Sequence, residues 1–509
     1  MTPVLMIRDE RFIKSMAIVN FEHIRNHRNF GDQRVDPSSV IPYAKPMPFV
    51  GNMWEAFFQR SFAEIVEKIY NSNPDSKYVG FFEFDTPVLL IRDLDLIKSI
   101  TVKNFHHFPN HRLASDPDLD PLFSKNIFSL RGEKWKEVRK ILTWAFTPSK
   151  MRSMFVLLRY SSDVSVICMF GIDVNSLIDP KNPYYVNMRE ASFGKAQSLR
   201  LFAARNFPWL CQLLGITVFK QKVIEFFKDL VTGTIKIRDE NGIVRSDMIQ
   251  LMMETRGKLE PGKELTIDDM TAQAFIFFLG GFETVSTLLS FAAYEIGIND
   301  DIQKRLQDEI DQVLEDCNGE VTYEAINGMK YLEAVIFESL RMYPPFAATG
   351  RACAKPFELP PRVPGAKPYV VQANETVCIP IYGIHHDPQY YPEPKKFNPD
   401  RFYDNPIEVA KFHSFLSFGL GPRMCIGYRF ALLETKVLLF HIFAKCDLAP
   451  CSKSSIPLKL NRKGFSMTLE NGFWLKVQPR TAKSAGSEKI AIPGTTMLIE
   501  TIPDKHPDD

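Results

Sequence analysis

The chain has 509 residues, 45% of them hydrophobic and 24% charged, with Gly and Pro at 26 and 35. That is the composition of a globular protein with a sizeable core, and it excludes collagen-like or low-complexity chains. A net charge of +2 removes the basic excess that nucleic-acid binding needs, and eight cysteines without a C-x-x-C pair exclude a disulfide scaffold or a zinc ribbon.

The first apolar run, Met1–Ile7, is cut off by Arg8, Asp9, Glu10 and Arg11, too early for a signal peptide. Residues 2–28 instead repeat residues 86–112 at a constant offset of 84, with 16 of 27 positions identical and no gaps. Two distant copies do not make a solenoid, which needs at least three stacked units. Residues 1–39 therefore read as an out-of-place duplicate of 86–123, a duplicated or mis-joined fragment, against the alternative of a regulatory arm. The Pro-rich stretch Ile41–Asn52 begins the main domain, which runs over 40–480.

Within that domain Trp54–Asn71 has helical periodicity, and Lys77–Arg92 alternates as a β-hairpin with its turn at Asp85–Pro87. The second copy of the repeat carries a strand at Val88–Ile91 followed by a helix. Glu133–Phe146 is a helix ended by Thr147–Pro148. Ser161–Phe170 and Phe219–Ile235 also read as helices. Asp268–Ile298 is one long apolar helix with an acid near its start. Gln273 and Glu283 inside it argue for a protein core rather than a bilayer. Asp301–Asp316 is an amphipathic surface helix, and Tyr331–Met342 a helix stopped by Pro344–Pro345. Short strands and turns lead to Cys378–Pro380, Phe402–Gly427 is loop, and Tyr428–Lys445 is an apolar helix. The polar tail, 481–509, reads as frayed.

The most informative segment is Phe418–Gly427, FGLGPRMCIG. Three glycines and a proline fix a tight backbone, and Cys425 stands just before a helix. Helix-start N–H groups and Arg423 are expected to lower the thiol pKa. A thiolate on a rigid loop suits metal ligation. A buried structural cysteine and a catalytic nucleophile are the alternatives, although His413, the nearest base, lies in no nucleophile motif.

Phe418, Gly421, Arg423, Cys425 and Gly427 fill the pattern F-x-x-G-x-R-x-C-x-G, which resembles the haem-binding signature of the cytochrome P-450 superfamily. Further segments match in the same order. Trp135 and Arg139 form W-x-x-x-R, and Gly280-Gly281-Phe282-Glu283-Thr284 resembles the oxygen-binding motif of the long central helix. Glu338 and Arg341 form E-x-x-R, completed by Arg401 in FNPDRF. The resemblance covers about Ile41 to Arg480 and is closest to the insect microsomal branch, which metabolises hormones and foreign compounds.

The resemblance implies a mainly α fold with small β-sheets, a helix-rich triangular prism around a buried haem b (iron protoporphyrin IX). Cys425 is implied as axial ligand of the iron. Arg423, Trp135, Arg139 and, more weakly, Arg351 are implied at the propionates. Phe418, Gly421, Gly427 and Gly280 are implied to shape the cofactor slot. Thr284 and Glu283 are the implied proton-delivery pair, with a Thr bonded back to its own helix as the plain alternative. Glu338, Arg341 and Arg401 are structural. Substrate-facing segments are implied at Phe105–Phe128, around Phe193–Phe219, at Pro345–Thr349 and at Gly464–Trp474.

The implied activity is monooxygenation of a lipophilic small molecule with O2. Electrons come from NADPH through NADPH–cytochrome P-450 reductase, with cytochrome b5 as a further candidate donor. Lys134, Lys136, Lys140, Arg429 and Lys436 are expected to form the reductase docking patch. The family implies the cytoplasmic face of the endoplasmic reticulum membrane. Here the repeat stands where microsomal members carry an anchor helix, so attachment is expected to be peripheral. The chain also reads as one helix short near 155–162. These departures keep open a catalytically impaired paralogue. A haem-thiolate isomerase or dehydratase, which tends to lack the central-helix Thr, is disfavoured by Thr284.

Overall fold

The computed structural model describes residues 41–480 apart from 48–49, 56–59, 85, 113–119, 148–180, 182, 192–196, 198–199, 202, 205–207, 246, 257–263, 404–412 and 463–466. The N-terminal repeat, the helix expected at Ser161–Phe170, the helix shortfall near 155–162 and the tail beyond 480 lie outside the described residues.

The chain opens with α1 (Phe62–Tyr70), started by a capping box in which Ser61 and Glu64 satisfy each other's backbone N–H. The expected hairpin follows as β1 (Tyr78–Glu83) and β2 (Thr86–Ile91), then α2 (Leu94–Lys98), capped by Asp93, and a π-helical turn at Ser99–Lys103. Next come α3 (Pro121–Ser124) and α4 (Gly132–Thr143), whose last residues tighten into a 3-10 turn at Trp144–Phe146. Then α5 (Pro183–Ala191), α6 (Pro208–Leu214), α7 (Gln221–Asn241) and α8 (Met248–Met253) lead to α9 (Ile267–Ile298). After it come α10 (Asp300–Asp316), α11 (Tyr323–Gly328), α12 (Lys330–Met342), β3 (Thr349–Ala352), β4 (Phe357–Leu359), β5 (Tyr369–Val371) and β6 (Thr376–Ile379). The last elements are α13 (Ile381–His385), α14 (Asp400–Tyr403), α15 (Tyr428–Lys445), β7 (Cys446–Pro450) and β8 (Leu475–Pro479).

The main sheet has the order β1-β2-β6-β3, with β2 and β6 parallel and the outer pairs antiparallel. Its apolar faces build one core with α2 and α13. A larger helical core surrounds α9, which packs against α3, α7, α12, α15 and β7. Among the described residues α9 alone is long and apolar enough to cross a bilayer. Its buried positions recur on all sides near both ends, as a helix enclosed by other helices requires. The fold is thus helix-rich with small sheets, in line with the sequence reading.

Candidate active site

Halfway along α9 the burial breaks. Phe275 to Leu279 are buried apart from Ile276, then Gly280, Gly281, Phe282, Glu283 and Thr284 are all half-exposed, and Val285 is buried again. A Cβ placed on Gly280 meets nothing within 4 Å, so this wall of the helix borders open space. Thr284 Oγ1 donates to Gly280 O at 2.5 Å, the back-bond that had been the plain alternative, while its lone pairs remain available as acceptors. Ser286 and Thr287 both donate to the Glu283 carbonyl.

The cysteine loop closes on itself through Cys425 N–H donating to Phe418 O at 2.8 Å, and it enters α15 through Gly427. Gly421 has φ +72°, and a Cβ there would stand 2.0 Å from Thr101 O, so only glycine fits between the loop and the π-helical turn. A Cβ on Gly427 would lie 3.7 Å from the Phe146 ring, which stacks on Phe277 of α9 at 5.5 Å. One ring therefore spans from the end of the cysteine loop to the turn of α9 that precedes the half-exposed stretch.

Cys425 is exposed by accessible area, yet surrounding protein desolvates its thiol; both hold when the sulfur opens onto an internal concavity. Burial pushes the thiol pKa up, opposed by a hydrogen bond from Gly427 N–H and by the Arg139 charge. This corrects the expectation of a thiol lowered by helix start and Arg423: desolvation outweighs both, and the acting cation is Arg139. Its Nη2 donates to Met424 O at 2.8 Å.

Arg423 points away from the sulfur. It donates to Pro109 O at 2.9 Å, Leu130 O at 2.8 Å and Ile127 O at 3.2 Å, and stacks over Trp135 at 4.0 Å. Burial lowers its pKa to about 9, and the next causes are Arg351, Arg139 and Arg131, with no carboxylate among them. Arg351, buried on β3, is lowered to about 10 by burial. Its Nη1 lies 3.0 Å from His111 Nδ1. Burial, then Arg351 and Arg423, hold His111 well below its usual pKa, and it stacks on Phe128 at 4.2 Å. Asn110 Oδ1 accepts from Arg423 at 3.4 Å. His111 and Asn110 escaped the sequence reading. Their only signal was two polar residues inside a segment expected to face substrate.

Buried guanidiniums facing other guanidiniums are costly without an anion. A planar cofactor with two carboxylates answers that cost, and a loop thiol with an open glycine wall opposite answers its faces. The donor set thus fits haem.

Glu338, fully buried on α12, binds Arg341 Nε at 2.7 Å and Nη2 at 2.9 Å, and accepts from Arg401 Nε at 3.3 Å and Asn398 N–H at 2.9 Å. Arg341 Nη1 reaches His385 O at 2.8 Å, and His385 Nε2 accepts from Leu416 N–H at 2.9 Å. The sequence-selected trio is thereby joined to the start of the cysteine loop. Of the basic patch, Lys436 is a correction: it is buried, with Nζ 2.6 Å from Glu333, because its position on α15 faces α11 and α12. Lys134 leans on Asp269 at 3.5 Å, while Lys136, Lys140 and Arg429 remain exposed. A separate shallow cleft lined by Phe62, Pro345, Ala347, Leu460 and Met467 touches the substrate-facing segment Pro345–Thr349 but contains no motif residue.

A family model described as Cytochrome P450 matches residues 148–475. The chain is similar to cytochrome P450 9e2 of Blattella germanica, 41% identical over 499 positions that cover 87% of this chain and 93% of the relative. It is also similar to probable cytochrome P450 9f2 of Drosophila melanogaster, at 38% identity over 86% of this chain and 94% of the relative. Cytochrome P450 6j1 of Blattella germanica is 34% identical over 91% and 96%.

Proposed function

This chain belongs to the cytochrome P450 family and is a monooxygenase of it, and on that premise we propose that it hydroxylates lipophilic small molecules, xenobiotics, insecticides, hormones or other endogenous lipids. The reductant in this reading is NADPH, acting through a separate flavoprotein reductase and, as a further donor, cytochrome b5. Two electrons and two protons accompany O2, one oxygen entering a C–H bond and the other leaving as water. The reading places the enzyme on the cytoplasmic face of the endoplasmic reticulum membrane.

The observation that carries it is the guanidinium cluster of Arg423, Arg351 and Arg139, which meets no carboxylate among the described residues and stands beside the loop that holds Cys425. Haem, when bound, supplies O2 activation and oxygen insertion. Cys425 would hold it as the thiolate ligand, a role in which coordination itself deprotonates the thiol despite its raised pKa. Arg423, with Trp135 packed against it, Arg351 and His111 would hold its carboxylates in planar, hydrogen-bonding contact. Arg139 would screen the sulfur's charge. Thr284 holds a proton at Oγ1 that it donates to the Gly280 carbonyl; turning it toward the open wall breaks that bond, which re-forms only after Oγ1 is reprotonated. In this reading Glu283, its neighbour in sequence, restores that proton from solvent. Phe146 and Phe277 exclude water between the loop and α9.

A second reading, a catalytically impaired paralogue, has one favouring observation. The alignment with cytochrome P450 9e2 runs over more positions than the 87% of this chain it covers, so that relative carries residues without a counterpart here. The reduced, CO-bound absorption spectrum separates the two. The protein is expected to show the red-shifted Soret band of thiolate-ligated haem, and Cys425→Ser is expected to lose it. Absence of that band from the unsubstituted protein would overturn the proposal. Product analysis with reductase and a lipophilic panel then addresses the substrate.

A further inference from the structure

Gln273 has no part in the chemistry above, yet its place in α9 calls for an explanation. Its neighbours Ala272, Ala274 and Phe275 are apolar and, like it, fully buried. An amide in such a place is destabilising unless both of its ends are bonded. Both are, and to one short stretch of chain. Gln273 Oε1 accepts from Ile127 N–H at 2.7 Å, and Nε2 donates to Lys125 O at 2.6 Å.

That stretch, the turn between α3 and α4, is neither helix nor strand. A second buried amide sets its shape. Asn126 Nδ2 donates to Leu122 O at 2.8 Å and Phe123 O at 2.9 Å, and Oδ1 accepts from Phe128 N–H at 3.0 Å and Ser129 N–H at 3.1 Å. Gln273 then fastens the shaped turn to α9. The Lys125–Asp268 pair, 3.5 Å apart and partly exposed, adds a weaker tie to the same helix.

The carbonyls of the turn face Arg423, which donates to Leu130 O at 2.8 Å, Ile127 O at 3.2 Å and Phe128 O at 3.5 Å. Ile127 is therefore held from both ends, its N–H on Gln273 and its C=O on Arg423. The Phe128 ring stacks on His111 at 4.2 Å, and His111 Nδ1 lies 3.0 Å from Arg351. Arg423 and His111 thus lean directly on the turn, and Arg351 leans on it through His111.

We propose that Gln273 is a positioning residue for the cofactor, holding the 125–130 turn so that Arg423 and His111 stand where they can bind the haem carboxylates. This rests on the haem-binding reading above. Gln273 touches no reacting group, so its loss is expected to loosen the cofactor while leaving the Cys425 ligation intact.

The fold supplies its own control. Gln303 on α10 is also buried and makes the same two-point bond, to Leu448 N–H at 2.8 Å and Leu448 O at 3.0 Å, with a residue that gives Arg423 no acceptor. The test loads the full chain with haem and follows its transfer to excess apomyoglobin. Gln273→Leu and Gln303→Leu are both expected to unfold at lower urea. Gln273→Leu alone is expected to release haem several-fold faster than the unsubstituted protein, with the Soret band of its reduced, CO-bound form unmoved. Beside Arg423→Lys the same substitution is expected to add little, because the contact it acts through is already broken. Equal release from the two leucine variants, or a full effect that persists beside Arg423→Lys, would overturn the proposal. The two leucine variants decide alone if Arg423→Lys does not take up haem. Gln273→Glu, which keeps the acceptor for Ile127 N–H, stands in if Gln273→Leu does not fold. Failure of both to fold beside a folded Gln303→Leu would also overturn it, making Gln273 a strut of the fold. A missing Soret band in the unsubstituted protein would instead overturn the haem-binding reading.

Discussion

Glu434 on α15 is buried, and its Oε2 has no hydrogen-bond partner among the described residues. Burial raises its pKa to about 8, so near neutrality the folded chain holds a proton there that the unfolded chain releases. Because the folded value lies above the unfolded one, its contribution to stability is complete below about pH 4.3 and is lost as pH rises through about 8. Glu434→Gln removes that loss. It is expected to stabilise the protein at pH 7.5 on the order of 2 kcal/mol and to flatten the pH dependence. Urea midpoints of both proteins from pH 5 upward check this, and parallel curves would disprove it. His385 has the opposite sign: its ring bridges Arg341 O and Leu416 N–H, and burial keeps its pKa low. Its contribution is present above the ordinary histidine value and fades as pH falls below it.

The tie between α12 and the segment ahead of the cysteine loop depends on one carboxylate. Glu338→Ala would leave Arg341 as a buried charge without its partner, a change that typically costs about 3–5 kcal/mol. The expected outcome is a protein that expresses poorly and unfolds at lower urea, with Glu338→Gln milder because a carbonyl oxygen in the place of Oε1 keeps three of the four acceptor contacts. At this scale the sequence was informative where the signal was local. The i, i+3 spacing of Glu338 and Arg341, the capped start of α9 and the alternation of β1 and β2 all sit within a few residues. The end of α7 was missed. Asn241-Gly242 is a left-handed cap at φ +63°, six residues beyond the expected stop at Ile235. The five residues of α13 were not legible. They are held by tertiary contact, with Gly383 pressed so close to the Tyr70 ring that a Cβ would stand 2.7 Å away. His111 was hidden for the same reason, since Arg351, which gives it meaning, comes 240 residues later.

Across the whole molecule, the basic residues of α4 and α15 divide into those that serve the fold and those that face solvent. Lys436 and Lys134 serve the fold, whereas Lys140 and Arg429 stay exposed near the two elements flanking the cysteine loop. Under the proposed electron route, Lys140→Glu with Arg429→Glu is expected to slow reductase-supported turnover several-fold. The deficit should be greater at low ionic strength, with the CO-bound spectrum unchanged. Equal turnover at both salt levels would remove these residues from the docking face. The meeting of Gly421 with Thr101 has its own consequence, because the loop presses on a carbonyl oxygen rather than a side chain. Mutational tolerance is therefore lopsided: a saturation library at position 101 should return several small residue types that fit its buried side-chain site among folded variants, and one at 421 glycine alone. Drift can rewrite the lettering on one half of this joint, while the other half admits a single letter.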